Sequence, residues 1–410
     1  MKKTFTFIAA FLFSFCANAQ WDTLNTQTST DFNSISFSDD WNGVAVGENA
    51  TTGRGTAFFT VTAGMTWVQA NMPINAPAIN DVGIFAPSSL GYAVGDSGFV
   101  FTCNTNVMTI SAPHQVGTQN LNCIFNVNDS VAYIGGDHGV LYRTSDYGTT
   151  WDTLSSQTTQ PIRDIYFMNG LVGWVVCDGG YIGNTIDGGQ TWTAQPQDYL
   201  GFLQCKSISF TTAGTSGFVV GDGGLMVQSV NAGISWDTFS SITIQNLTCI
   251  RFANNLAGII CGNNGTIYRT YVGGSNWANE SMSYVTEKLN KVCFSSDSIA
   301  YICGNDGRIL KSNLDISSVE TNISFAMNAT AYPNPFDGDL NLSIHLEKAS
   351  AVKISVLDVT GRIVLEENAG ELNAGEHLVS PAGMSSLVNG MYLVRVATSY
   401  GSVTLPVVRQ

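Results

Sequence analysis

Cations are scarce in this chain. Only 12% of its 410 residues are charged, and Lys+Arg 17 against Asp+Glu 31 leave a formal net charge of −14. A phosphate backbone demands clustered cations, so nucleic acid is excluded as a partner. Histidine is scarcer still. His114, His138, His345 and His377 form no i,i+4 pair and no Cys/His cluster, so no zinc-type ligand set is present. The chain also lacks a Gly-x-Ser-x-Gly nucleophile elbow and a glycine-rich phosphate loop leading into Lys-Ser/Thr. Nowhere do about 18 apolar residues follow one another, so no membrane-spanning segment is expected in the mature chain. No metal and no cofactor is expected.

Apolar and aromatic side chains, by contrast, are abundant: 44% of residues are hydrophobic, with Phe 22, Tyr 14 and Trp 8. Large cores can form and wholesale disorder is excluded. The first nineteen residues read as an export signal. Lys2 and Lys3 precede the apolar run Phe5 to Cys16, and Ala17-Asn18-Ala19 forms a small-x-small cleavage site before Gln20.

A repeat organises the chain beyond Gln20. Ser145-Asp146-Tyr147-Gly148-Thr149-Thr150-Trp151 recurs as Ile186-Asp187-Gly188-Gly189-Gln190-Thr191-Trp192 and as Val230-Asn231-Ala232-Gly233-Ile234-Ser235-Trp236, with further copies ending at Trp67 and Trp277. A copy near Met108 has lost its Trp. Short apolar strands keep the same beat at Ile35, Val82, Ile124, Ile165, Ile208, Ile250 and Val292. Between strand and box lies a Gly-turn element such as Val94-Gly95-Asp96 or Val220-Gly221-Asp222, so three markers define seven units. Gly and Asp/Asn at each junction supply the positive φ and side-chain turn bonds of tight hairpins. Four short antiparallel strands every 42 residues or so predict a β-propeller.

The register also predicts how the ends meet. Trp21-Asp22-Thr23-Leu24 matches Trp151-Asp152-Thr153-Leu154, an outer strand lacking its inner three, while the seventh unit ends at Asn313 without an outer strand. Pairing of 21–24 with 307–313 would remove both free edges. On these motifs, residues 21 to 313 resemble the Asp-box propellers, most closely those of photosystem II assembly and stability factors. That resemblance implies blade geometry and a protein-binding habit.

Beyond a polar linker the pattern changes to alternating strands after Tyr332-Pro333-Asn334-Pro335. Together with Asp358-Val359-Thr360-Gly361-Arg362 and Gly390-Met391-Tyr392, this run resembles the type A sorting domain of the type IX secretion system. The resemblance implies passage through the periplasm, recognition by the secretion translocon as partner, and release or attachment at the outer cell surface. The expected fold is all-β: a seven-bladed propeller closed by an N-terminal strand, plus a small C-terminal antiparallel sandwich. Its expected parts are a signal peptide (1–19), propeller (20–313), linker (314–330) and sorting domain (331–410).

Few residues suggest chemistry. Sialidases clamp a substrate carboxylate with three arginines, one of them in an Arg-Ile-Pro run, and Pro161-Ile162-Arg163-Asp164 has the wrong order. The Asp-box residues Asp146, Gly148, Asp187, Gly189, Asn231 and Gly233 are read as turn formers, with Trp151, Trp192 and Trp236 packing between blades. Glu48, Asp96, Asp137, Asp178, Asp222 and Asp306 should share one face as an acidic ring that would attract a cation or a basic partner. Eight cysteines follow Cys16; bridges Cys249–Cys261 and Cys293–Cys303 are conceivable in an exported chain, and buried unpaired thiols equally so, since Cys177, Cys261 and Cys303 replace small core residues at equivalent positions. These features suggest an exported module that binds an unidentified protein or glycan. The alternative is a secreted glycoside hydrolase or lyase using carboxylates of the acidic face.

Overall fold

The computed structural model describes residues 21–195, 204–313, 327–346, 349–358, 362–398 and 401–410. The export signal, most of the linker and Gly361 lie outside the described residues. Short apolar runs, buried on both faces in the second strands of the repeats and alternating in the C-terminal domain, are broken by Gly and Asx turns and give, among the described residues, strands almost everywhere and only single-turn helices.

Among the described residues the repeat region forms seven antiparallel sheets. Their first strands are Thr30–Phe37, Ile79–Phe85, Leu121–Asn126, Ile162–Phe167, Cys205–Phe210, Leu247–Phe252 and Leu289–Ser296. Each first strand contacts those of the sheets before and after it, and the seventh contacts the first. The second sheet, the one without its Trp, carries two short strands, Thr109–Ile110 and His114–Gln115, on its outer edge where the other sheets carry one. In the seventh sheet, Asp22, Thr23 and Leu24 pair with Lys311, Leu310 and Ile309. Trp21, just before this strand, donates from Nε1 to Glu280 of the sixth sheet at 3.0 Å.

Aromatic stacks hold neighbouring sheets together. A Phe late in one first strand lies on an aromatic ring from the second strand of the preceding sheet: Phe37 on Tyr301 (centroids 3.9 Å), Phe167 on Tyr133 (4.1 Å), Phe210 on Trp174 (4.4 Å) and Phe252 on Phe218 (5.6 Å). The box tryptophans Trp67, Trp192, Trp236 and Trp277 meet the same Phe rings at steep angles, the geometry aromatic quadrupoles favour. Space for the Phe comes from a glycine in the adjacent strand. A Cβ at Gly173 would stand 2.6 Å from the Phe167 ring.

After the repeats, strand Met327–Tyr332 begins inside the segment expected to be linker. It joins Asn341–Leu346 and Gly375–Val379 in a three-stranded sheet. Ile363–Leu372, Ser350–Leu357, Gly390–Thr398 and Gly401–Arg409 form a second sheet in that order. Leu342, Ile344, Val352, Ile354, Val394 and Val396 fill a core that both sheets line.

All eight described cysteines are free thiols. Cys249 does face Cys261 across its strand pair, but Cys293 faces Tyr301 and Cys303 faces Lys291, so the second conceivable bridge lacks the cross-strand geometry. Burial pushes the Cys103 and Cys205 thiols up to about 12, which keeps them protonated. Denaturation without reductant should therefore expose all eight to alkylation. Mass spectrometry checks this, and fewer than eight adducts would reveal a bridge.

Candidate binding face at the channel mouth

Every first strand of the repeat region carries a β-bulge at its start, and the bulged residues are Asn33, Asn80, Asn122, Arg163, Lys206, Thr248 and Asn290. A bulge turns its side chain out of the normal alternation. Here it aims toward the neighbouring sheet. Asn33 Nδ2 donates to the Ile79 carbonyl (2.9 Å), Asn80 to Leu121 (3.0 Å), Asn122 to Ile162 (3.1 Å), Thr248 Oγ1 to Leu289 (2.6 Å) and Asn290 to Phe32 (2.8 Å). Five junctions are thus fastened alike, including that between the last sheet and the first.

Arg163 and Lys206 break the series. Arg163 Nε donates to Asp178 at 2.9 Å, and Lys206 Nζ reaches Asp178 at 3.1 Å and Asp222 at 3.7 Å. Burial pushes the Asp178 carboxyl up, but the Arg163 hydrogen bond and the charges of Arg163 and Lys206 outweigh it and hold the group below its usual range. Both cations remain partly exposed, at 31% and 26% of their side chains. They border an open cavity of about 650 Å³ shared with Glu48, Asp222, Lys288 and Lys291.

The residues expected to form an acidic ring are therefore interleaved with cations and amides. Asp96 accepts from Asn80 and Asp137 from Asn122, each at 2.9 Å. Asp96, Asp137, Asp178 and Asp222 each open a single-turn helix after the second strand. In the seventh sheet Asn305 holds that place and bonds Asn290 at 2.8 Å, while Asp306 takes the next, left-handed position with φ 55°. Among the described residues, no group of three or more His, Cys, Asp or Glu could hold a metal ion.

Asp81, Asp164 and Lys291 line the same cavity, where two ion pairs each join sheets separated by one other. Lys291 of the seventh sheet meets Asp81 of the second at 2.9 Å, and Arg251 of the sixth meets Asp164 of the fourth at 2.9 Å. Asp81 also accepts from Ser34 Oγ (2.6 Å), and Asp164 from Ser207 Oγ (2.8 Å). Although burial raises Asp164, the charges of Arg251 and Lys291 and the Arg251 and Ser207 hydrogen bonds leave it lowered. Neither carboxylate stands out in the sequence by itself. The signal that exposes them is an alignment of the residue after each bulge: Ser34, Asp81, Cys123, Asp164, Ser207, Cys249 and Lys291.

The Asp-box residues lie at the other end of the strands. Asp146 accepts from Thr150 N and Thr144 Oγ1 at 2.9 Å, Asp187 repeats this with Thr191 N (2.9 Å) and Thr185 Oγ1 (2.8 Å), and Asn231 with Ser235 N (3.0 Å) and Ser229 Oγ (2.8 Å). Gly148, Gly189 and Gly233 all have positive φ, and Gly233 lies against the Trp174 ring. Trp192 and Trp236 are buried, and Trp151 packs on Tyr92 at 5.4 Å. The propeller arginines are scattered: Arg269 is fully buried against Glu280 and Trp21, Arg308 pairs with Glu287, and Arg143 lies over Tyr133.

In the C-terminal domain, the Asn334 side chain holds the last strand, donating to Pro406 O and accepting from Val408 N, both at 2.9 Å. Pro333 and Pro335 flank it, each after a cis peptide bond, and Tyr332 before them is exposed. Asp358 accepts from Arg362 Nε (3.1 Å), the buried Tyr392 donates to Val388 O (2.8 Å), and Gly390 takes φ 157°.

Successive four-stranded sheets packed face on face define a β-propeller, here followed by a sorting domain. Residues 144–246 match the family model of the photosynthesis system II assembly factor YCF48, and residues 330–409 that of the secretion system C-terminal sorting domain. Similar solved structures include YCF48 bound to D1 peptide (TM-score 0.60, 19% identity, 72% of this chain and 95% of that one). Another is YCF48 from Cyanidioschyzon merolae (TM-score 0.58, 17% identity, 72% and 98%). The WD40 repeats of RRP9 match as well with only 7% identity (TM-score 0.59, 73% and 98%), so the likeness is one of fold. Among curated proteins, none matches the chain. The sorting domain marks the protein for export by type IX secretion, to the cell surface or beyond it.

Proposed function

We propose that this chain is an exported binding module whose seven sheets are the blades of a propeller closed by Asp22–Leu24, and whose C-terminal domain is a sandwich engaged by the secretion translocon. The propeller binds an acidic segment of a protein or glycan partner at the channel mouth. One observation carries this reading: at two adjacent blades, and only there among the seven, the bulge residue that fastens its neighbour is replaced by a cation, Arg163 or Lys206. The replacement gives up the bond to the next blade's carbonyl, turns both cations to Asp178, and leaves them partly exposed at the rim of a cavity. That YCF48 is solved with a bound peptide agrees with a peptide-binding use of such a fold.

Catalysis is no part of this proposal. A glycosidase pair needs one carboxyl raised to act as acid. Of the described carboxylates with displaced pKa, Glu280 alone is raised, and burial does this where Arg269 and Trp21 hold it. A screen of acidic peptides and glycans against the mature chain tests the proposal. Arg163→Gln with Lys206→Gln should weaken any mouth ligand about tenfold or more, and salt should weaken the unaltered protein's binding in parallel. Equal binding by both proteins, or product released from a polysaccharide panel, would overturn it.

A further inference from the structure

The aromatic stack is present at four junctions between sheets, and at one of those that lack it, between the second sheet and the third, its loss leaves a lined hole. Five first strands carry Phe at the same place, Phe37, Phe167, Phe210, Phe252 and Phe294, but the third carries Asn126. Tyr92, the second-strand ring that such a Phe would cover, keeps its Trp151 neighbour and faces a cavity of about 80 Å³. Asn126 Nδ2 turns away to the Gly83 carbonyl at 2.7 Å. Its Oδ1 and the Oδ1 of Asp129, both at this cavity, are buried without a hydrogen-bond partner. Two bare acceptors, one of them a carboxylate oxygen, are costly to bury, so their complement is a charged N–H donor.

Exposed Tyr147 stands at the rim with φ 62°, a left-handed position that the neighbouring boxes fill with Gly188, Ala232 and Gly273. Phe85 and Leu90 complete an apolar wall. An alkyl chain suits that wall and a cation suits the faces of the tyrosine rings. From these groups we infer that the junction of the second and third sheets is a binding site for a primary alkylammonium, carried by a lysine side chain or a small amine. The site lies among the first hairpins and box turns, at the opposite end of the strands from the channel mouth, and is independent of the function proposed there.

Calorimetric titration of the mature chain with n-butylammonium chloride, against sodium chloride at equal ionic strength, tests the inference. Saturable millimolar binding is expected. Asn126→Phe, which fills the hole with a ring, should weaken it about tenfold or more, at some cost in melting temperature because Ala132 rather than a glycine lies opposite, and Asp129→Asn, which keeps the volume, should weaken it likewise. Absence of saturable binding, or equal binding by Asn126→Phe, would overturn the site and leave ordered water as its occupant. Competition by a lysine-containing peptide would assign the site to a protein partner, and competition by free amines alone to a small molecule. Both outcomes support it.

Discussion

Trp174→Ala should destabilise the repeat domain by about 3 to 5 kcal/mol. That cost corresponds to a fall in melting temperature of about 10 °C. Trp174 is 1% exposed, stacks on Phe210, and bonds the Gly233 carbonyl through Nε1 at 3.4 Å, so truncation opens a cavity in the seam between the fourth and fifth sheets. The neighbouring Trp236 and Phe210 cannot refill it, because both are pinned against the same seam. By comparison Trp41, 60% exposed, should change stability by no more than about 0.5 kcal/mol on the same truncation. Denaturant unfolding followed by tryptophan emission distinguishes the two variants. Equal midpoints would show that the sheets are not held together by these stacks.

Arg251→Met should cost about 3 kcal/mol, because it leaves the buried Asp164 carboxylate without its cation. The lower end of the usual range applies, since Ser207 Oγ and the Ile165 and Ile208 amides still reach that carboxylate. Removing both charges, Arg251→Met with Asp164→Leu, should restore only part of the loss, because the desolvation penalty disappears with the pair while Ser207 Oγ and the Ile165 and Ile208 amides lose their acceptor. The same pairing sets an acid limit. Asp164 and Asp178 are both lowered in the folded protein, so their contribution is complete above the unfolded carboxylate value of about 3.9 and is lost as pH falls through the lower folded values. Unfolding midpoints should therefore hold from neutral pH to about pH 5 and then drop, less steeply in the doubly substituted protein. A flat profile down to pH 3 would mean that these pairs do not stabilise the fold.

Much of the architecture is legible in the chain because each repeat carries its own local instructions. Box tryptophans, Gly-turns and apolar first strands recur in step, and the orphan strand Asp22–Leu24 is recognisable from its likeness to Asp152–Leu154. Sorting-domain landmarks are equally local. The channel mouth is not, for three physical reasons. A bulge shifts Arg163 and Lys206 off the strand alternation, so their direction does not follow from the period of two. The cations that neutralise the expected acidic ring sit on other strands, Arg163 fifteen residues before Asp178 and Lys206 twenty-eight after it. And the ion pairs Arg251–Asp164 and Lys291–Asp81 join residues 87 and 210 apart, on sheets that are not neighbours in sequence. Arg163 means little against a sialidase motif; its meaning lies in comparison with Asn33, Asn80, Asn122 and Asn290.

Hydrogen exchange on the mature chain, with and without a ligand selected in the acidic screen, tests the proposed binding face most directly. Protection is expected in the turns Asp137–Gly139, Asp178–Gly180 and Asp222–Gly224 around Arg163 and Lys206, and it should vanish in the Arg163→Gln, Lys206→Gln protein. Protection confined to the Asp-box end or to the C-terminal domain, with these turns unchanged, would contradict a partner bound at the channel mouth.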